Sequence, residues 1–356
     1  MKRKIVVAMS GGVDSSVAAA LLKQQGHDVI GISLQLWDYG SDTDDRFGTC
    51  CSLDDLADAR RVADKLEIPF YILNMEKAFK EEVVDYFVSE YQQARTPIPC
   101  TLCNQKVKFD QLMKRAEILG CDFLATGHYA SVARDESGRL TIRRGRDPSK
   151  DQSYFLFNLS QDQIRRLMFP LGGMKKHEVR DLARSLALPV AEKSESQEIC
   201  FIPDNDYSKF LARQSDGKIF RDGPVVDSSG TVLGTHKGFA AYTVGQRKGL
   251  NLGGLSEPYF VTGIDAKRNE VTVGPKRETF RKEFFVDRVN WCLEPDTAFR
   301  AAVQIRSRHR AAAADLTRLA DGRVRVAFDE PQLAIAPGQA AVFYRNDCIV
   351  GGGWIE

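Results

Sequence analysis

The chain has 356 residues, with 50 Lys+Arg against 48 Asp+Glu and a formal net charge of +2. Hydrophobic residues make up 43% and charged residues 28%, a balance that excludes a disordered, collagen-like or membrane-embedded chain. At roughly 150 residues per domain the length predicts two or three domains, and a total so near neutrality means that any nucleic-acid signal must be local.

The start, MKRKIVVAMS, has a basic head but only a five-residue apolar run, Ile5 to Met9. Asp14 follows too closely for a signal peptide. No run of 18 apolar residues exists, so no membrane helix is expected, and the cytoplasm is the expected location. Ile5–Met9 reads as a strand, Ser15–Gln25 as an alanine-rich helix stopped at Gly26, and Val29–Leu34 as a second buried strand. Tyr39–Thr49 reads as a polar surface loop. Ser52 and Asp55 give a capping-box start, with Leu56, Ala59, Ala63 and Leu66 at helical spacing. Phe70–Leu73 is a third strand, Phe79, Val83, Tyr86 and Phe87 stripe another helix, Lys106–Leu119 is a further helix, and Cys121–Thr126 is a fourth strand. Strands separated by helices predict an α/β fold with a doubly wound parallel sheet.

After about residue 205 helices become scarce. Tyr259–Ile264 and Glu270–Val273 read as a hairpin. Phe284–Trp291, Ala302–Arg308, Arg323–Phe328 and Ala340–Tyr344 follow at a spacing that suggests small barrels or sandwiches. The expected division is 1–205, 206–280 and 281–356.

Ser10-Gly11-Gly12-Val13-Asp14-Ser15-Ser16 joins the first strand to the first helix. Two glycines allow a tight turn, the helix start presents N–H groups and a positive dipole end, and Ser10, Ser15 and Ser16 offer hydroxyls. That is a cradle for a pyrophosphate. No Gly-Lys-Ser/Thr ending is present, so it is not a Walker A loop. A plain turn with a serine cap would share some of these residues, but not the whole pattern after a strand. The segment resembles the PP-loop of ATP pyrophosphatases, which cleave ATP between the α and β phosphates. The resemblance implies ATP over Ser10–Ser16 and Mg²⁺, with Asp14 as its link to the metal.

Eight cysteines in a chain this long are too few for a disulfide scaffold. Cys100-Thr101-Leu102-Cys103 is the lone C-x-x-C, read as directly preceding the helix at Lys106. A thiol there should titrate below the usual value of about 8.5. Zinc would need partners such as Cys50 and Cys51, an unusual adjacent pair. Cys121, Cys292 and Cys348 lie in β-rich runs and read as small buried hydrophobes.

SGGVDSS, TPIPCTLCNQKVKFD, ATGHYA, KDQSYFL, KSESQEICFI and YTVGQRKGL occur in that order. Together they resemble the tRNA-specific 2-thiouridylase family. The resemblance implies a PP-loop catalytic domain, a small central domain and a C-terminal β barrel. It implies thiolation of the wobble uridine in the anticodon stem-loop of tRNA at the expense of ATP. Ala8, Met9, Ser10, Gly11, Gly12, Val13, Asp14, Ser15, Leu34 and Gly127 would hold ATP. Cys103 would be the nucleophile and Cys200 would carry sulfur as a persulfide, the two ending as a transient disulfide. Ile98, Pro99, Cys100, His128, Lys150, Asp151, Gln152, Arg306, Ser307 and Gln339 would meet tRNA. Sulfur would come from a sulfur-carrier protein or a cysteine desulfurase. Some members carry Asn-Pro-Asp where this chain has Ile98-Pro99-Cys100, so an acid–base role for a carboxylate there does not carry over. The change also opens an alternative, an iron–sulfur cluster on Cys100, Cys103 and Cys200.

Gln304, Arg306, Arg308 and Arg310 are placed at period two in a predicted strand, on one face. Arg300–Arg323 holds six Arg and two Asp, and Arg134–Lys150 and Arg247-Lys248 are further basic stretches suited to phosphate. Tyr129 and Pro97–Pro99 are candidate walls for an extruded base. Asp38–Glu67, with nine acids and four bases, is expected to face away from RNA and to receive a basic sulfur carrier. Two rival functions remain on these residues. A PP-loop synthetase of small metabolites would need no cysteine pair, and a zinc-holding RNA-binding module would need no ATP.

Overall fold

The computed structural model describes residues 1–37, 53–194, 199–202, 206–215, 217, 219–254 and 256–356. Ser52, Cys50, Cys51 and the stretch 39–49, which carried expectations above, lie outside them. The described residues form two compact units. One comprises Met1–Val84, Pro99–Asn205 and Asn346–Val350; the other comprises Asp85–Ile98, Asp206–Arg345 and Gly351–Glu356.

The first unit is built on a five-stranded parallel sheet in the order Phe70–Asn74, Asp28–Gln35, Lys4–Ala8, Phe123–Ala125, Leu167–Met168. Ile5, Val6 and Val7 are fully buried in the central strand, as expected for a strand covered on both faces. The helix Val13–Gln24 follows and packs against the helix Lys176–Ser185. Val17, Ala18, Ala19, Ala20 and Leu22 are all buried, with Val179 and Ala183 in the same core. Small side chains let this helix lie close to sheet and helix at once. From Lys4–Ala8 the chain moves first to one side of the sheet and later to the other. The crevice beyond its carboxyl end is therefore a topological switch point, the usual ligand position in such sheets.

Two helices depart from the sequence reading. The turns at Lys80–Val84 and Cys103–Phe109 are π-helical. The second helix does not begin at Lys106. It begins at Pro99, runs through Pro99–Leu102 and the π segment, and ends as Asp110–Ile118. Proline at the first helical position is a natural start, so Cys100 sits in the first turn and Cys103 one turn in. The hairpin Ala130–Arg134 and Leu140–Arg144 was not anticipated, and its Arg143 pairs with Cys348. Cys348 is thus half-buried and paired in register with Arg143 rather than a fully buried apolar filler. Cys121 and Cys292 are buried.

In the second unit, Phe87 and Tyr91 of helix Asp85–Gln92 pack on Phe210 and Tyr207 of helix Tyr207–Gln214. A four-stranded sheet runs Tyr259–Asp265, Glu270–Pro275, Gly223–Val226, Val232–His236. Six strands make a closed barrel in the order Phe280–Trp291, Val324–Leu333, Ala312–Arg318, Ala298–Gln304, Ala340–Arg345, Cys348–Ile355, closed by pairing of the first with the last. The strand Ala298–Gln304 ends six residues before Arg310. Gln304 is buried, and its amide donates to the carbonyls of Arg306 (3.2 Å) and Ser307 (3.0 Å). The predicted strand face of Arg306, Arg308 and Arg310 is therefore a loop.

Candidate active site

The phosphate loop leaves the central strand at Ala8 and enters the helix at Val13. Gly11 has φ +72°, and a Cβ there would lie 2.1 Å from the Asp55 carbonyl oxygen. Only glycine fits both the backbone and the space. Ser15 Oγ accepts from the Ser10 amide (3.1 Å) and lies 3.3 Å from Ser10 Oγ, which folds the loop over the helix start. Ser16 differs from its expected role. It is fully buried and donates to the Gly12 carbonyl (2.8 Å), so its hydroxyl braces the turn. Gly127 closes the loop from behind, where a Cβ would stand 2.7 Å from Ser15 N and 2.8 Å from the Asp14 carbonyl carbon.

These residues open into a cavity of about 310 Å³. Its walls bring together Ala8, Met9, Ser10, Gly12, Val13, Asp14, Ser15, Leu34 and Gly127, nine of the residues expected at ATP; Gly11 shapes the loop behind them. Ile32, Leu34, Leu36 and Leu112 make an apolar side suited to a flat base. Lys108, Lys150, Lys176 and Lys193 face it with Asp14 and Asp55. Sequence reasoning missed Lys176 and Lys193. Lys176 Nζ donates to both Asp14 oxygens (2.7 and 2.8 Å), and Tyr129 OH donates to Asp14 Oδ1 (2.7 Å). Lys193 Nζ donates to Asp55 (2.6 Å), Asp58 (2.5 Å) and the Gly11 carbonyl (3.2 Å). Burial opposes its charge, but those two carboxylates outweigh that and raise its pKa. Asp55 thus faces the cavity and does not belong to a purely outward acidic face.

His128, Lys150 and Gln152, expected at tRNA, line the same cavity. Burial of the His128 ring, together with the charge of Lys108, lowers its pKa to about 3. The ring lies between Phe109 and Phe169, with Nδ1 2.7 Å from Thr126 Oγ1, so it is neutral at physiological pH. Gln152 exchanges bonds with Tyr129: its amide donates to the Tyr129 carbonyl and its Oε1 accepts from the Tyr129 amide, both at 3.0 Å. Asp151 turns inward, accepting from Arg144 (2.7 Å), Gly145 N (3.0 Å) and Ser153 N (3.1 Å). Tyr129 is buried and serves as a cavity wall.

Cys100 is exposed, Cys103 buried and Cys200 half-buried; neither Cys103 nor Cys200 is among the described walls of the cavity. The Cys103 segment is braced by Asn104, donating to Phe155 O, and Gln105, donating to Asn158 O, both at 3.2 Å. Phe201, beside Cys200, packs on Phe79 (5.6 Å) and Trp37 (6.4 Å). The helix Glu76–Phe79 packs on the segment Cys103–Phe109 as well, so one turn of helix supports both cysteine neighbourhoods. Among the described residues no three His, Cys, Asp or Glu side chains group closely enough to hold a metal ion. The three-thiol cluster site therefore does not fit the residues present.

In the second unit Ile98 is buried, and Gln339 Nε2 donates to the Thr96 carbonyl (2.8 Å). Arg300 pairs with Asp315 and Asp329, Arg318 with Glu294, and Arg323 with Asp321 and Glu356. Arg306 is half-buried, and Ser307, Arg308 and Arg310 are exposed on the loop.

Three family models cover the chain: a tRNA methyl transferase HUP domain over residues 3–204, a tRNA methyl transferase PRC-barrel domain over 208–275, and an aminomethyltransferase beta-barrel domain over 281–355. A tRNA-specific 2-thiouridylase MnmA of Geotalea uraniireducens is 53% identical, covering 100% of this chain and 95% of that protein. The chain belongs to the tRNA-specific 2-thiouridylase family. Members so named from Geobacter metallireducens (52% identical, 100% and 97% covered) and Clostridium perfringens (46%, 100% and 99%) extend the match. The parallel-sheet unit and the closed barrel fit this family's architecture. No helix among the described residues is long and apolar enough to cross a membrane.

Proposed function

We propose that this chain is a tRNA-uridine 2-sulfurtransferase: it thiolates carbon 2 of the wobble uridine, position 34, using ATP. The observation that carries the reading is a phosphate loop opening into a lysine-lined cavity at the sheet's switch point, in a chain similar to 2-thiouridylases over its whole length.

Oxide is a poor leaving group, so the carbonyl oxygen must first be activated. The uridine oxygen attacks the α phosphorus of ATP. The bond from that phosphorus to the bridging oxygen breaks, and pyrophosphate leaves with the electron pair. The loop Ser10–Ser15 and the helix start hold the phosphates, while Ile32, Leu34 and Leu36 flank the base. Asp14 and the hydroxyls of Ser10 and Ser15 are hard oxygen donors that fit Mg²⁺; Asp14 would hold it, and there it would offset phosphate charge. The terminal sulfur of a Cys200 persulfide is then delivered to carbon 2. Attack of the Cys103 thiolate on the inner sulfur of Cys200 releases hydrosulfide, leaving a Cys103–Cys200 disulfide. Hydrosulfide adds to carbon 2, and AMP departs with its oxygen. A thiol reductant resets the disulfide, which places the cycle in a reducing compartment, the cytoplasm. A sulfur-carrier protein or cysteine desulfurase reloads Cys200.

The test is AMP and pyrophosphate formation with and without tRNA, together with nucleoside mass analysis. Turnover that requires uridine 34 and yields 2-thiouridine supports the reading; AMP formation on a small acid instead would overturn it. RNA contacts are proposed at Ile98, Pro99, Cys100, His128, Lys150, Asp151, Gln152, Arg306, Ser307 and Gln339. Arg306, Arg308 and Arg310 make no ion pair with described residues, which leaves them suited to phosphate. Replacing all three by alanine should weaken tRNA binding about tenfold or more and reduce the slope of log affinity against log salt by about two. Fluorescence anisotropy across a salt series measures both, and an unchanged slope would move the phosphate contact elsewhere.

A further inference from the structure

We infer that Lys176 is the cation that receives the departing pyrophosphate, a role that rests on the ATP-cleaving reading above. The phosphate loop contains no lysine, and the charged residue it does contain, Asp14, is an anion. When the bond at the α phosphorus breaks, negative charge grows on the bridging oxygen beside that anion. A positive group fixed where this charge develops lowers the barrier. Lys176 lines the cavity and its ammonium is 2.7 Å from Asp14. It also lies 5.7 Å from the centre of the Tyr129 ring, so its direction is set from two sides.

The position of Lys176 is otherwise unfavourable. It is the first residue of helix Lys176–Ser185, where the dipole end is positive and cations are disfavoured. Two carboxylates offset this: Asp147 accepts from the Lys176 amide (2.9 Å), and Glu178 accepts from the Lys175 amide (2.7 Å). The helix start is thereby satisfied by its own neighbours, while the side chain is directed to the phosphate loop. Lys193 stands in a different setting, between Asp55 and Asp58, two negative charges that exceed its own. Lys176 therefore supplies the better anion partner. In the nucleotide-free chain Asp14 holds it in place, and pyrophosphate then shares it.

The experiment titrates inorganic pyrophosphate and, separately, AMP into the full chain without magnesium, by calorimetry. Lys176→Gln should weaken pyrophosphate binding about tenfold or more and leave AMP within about twofold. The same variant should slow tRNA-dependent pyrophosphate release about 10²-fold. Lys176→Arg should restore most of the pyrophosphate affinity. Asp14→Asn, which keeps the ammonium and removes the carboxylate that competes for it, should tighten pyrophosphate. Equal binding by Lys176→Gln and the parent chain, or equal losses for AMP and pyrophosphate, would overturn the role. If Lys176→Gln does not fold, an unchanged or weaker affinity in Asp14→Asn does so. Failure of the parent chain to bind either ligand, with magnesium as well as without it, overturns the ATP-cleaving reading itself.

Discussion

Serine in place of Cys200 should abolish 2-thiouridine, lowering the rate by about 10³-fold or more, while the first chemical step survives. A serine hydroxyl cannot carry a terminal sulfur, so no persulfide forms. The cavity at the phosphate loop has neither Cys200 nor Cys103 among its described walls, so adenylation should still give one equivalent of pyrophosphate per bound tRNA. Cys103→Ser should look alike in 2-thiouridine yield and differ upstream: Cys200 would still load a persulfide, visible as a 32-Da-class mass increase on the intact chain. Added hydrosulfide should then restore part of the thiolation in either variant, since it bypasses the thiol that is missing. Undiminished thiolation in one variant would remove that cysteine from the cycle. A lost pyrophosphate burst in both would make them structural.

Alanine at Gly11 should also be costly, by a different route. Its φ of +72° disfavours any side chain, and the new Cβ would meet the Asp55 backbone at 2.1 to 2.8 Å. The left-handed conformation alone costs about 1 kcal/mol or more, and the clash must move either the loop or the helix Leu53–Lys65. A displacement of about 1 Å in a substrate-positioning loop slows chemistry about 10²-fold. ATP cleavage should therefore fall to that degree, and the melting temperature should drop. Gly12 is the internal control for folding. Its φ is −94°, and a Cβ there would lie at an ordinary 3.5 Å from Ser10 Oγ, so Gly12→Ala should melt near the parent chain. Equal melting of the two variants would show that the loop has room the packing denies it.

What the sequence revealed followed from how local the cause was. The strand Lys4–Ala8, the loop after it and the alanine-rich helix are written in adjacent residues, and they were legible. Lys176 and Lys193 were not, although Lys193 opens the segment KSESQEICFI. Each reaches the loop from more than 150 residues away, and only the sheet order brings it there. Pro99 is a readable helix start, seven residues ahead of the start expected at Lys106. The π-helical turns had no local mark. Alternation through Val303 and Ile305 extended a strand on paper to Arg308. The chain instead turns after Gln304, whose buried side-chain amide bonds the carbonyls two and three residues on, a local turn that alternation does not encode.

Tyr129 binds the phosphate loop with its hydroxyl and the Gln152 backbone with its own. A ligand that shifts the Lys150–Gln152 turn must therefore work against the same residue that fixes Asp14. If RNA meets Lys150 and Gln152 as proposed, both substrates bear on one buried tyrosine and are linked, and linkage runs both ways: the factor by which RNA changes nucleotide affinity is the factor by which nucleotide changes RNA affinity.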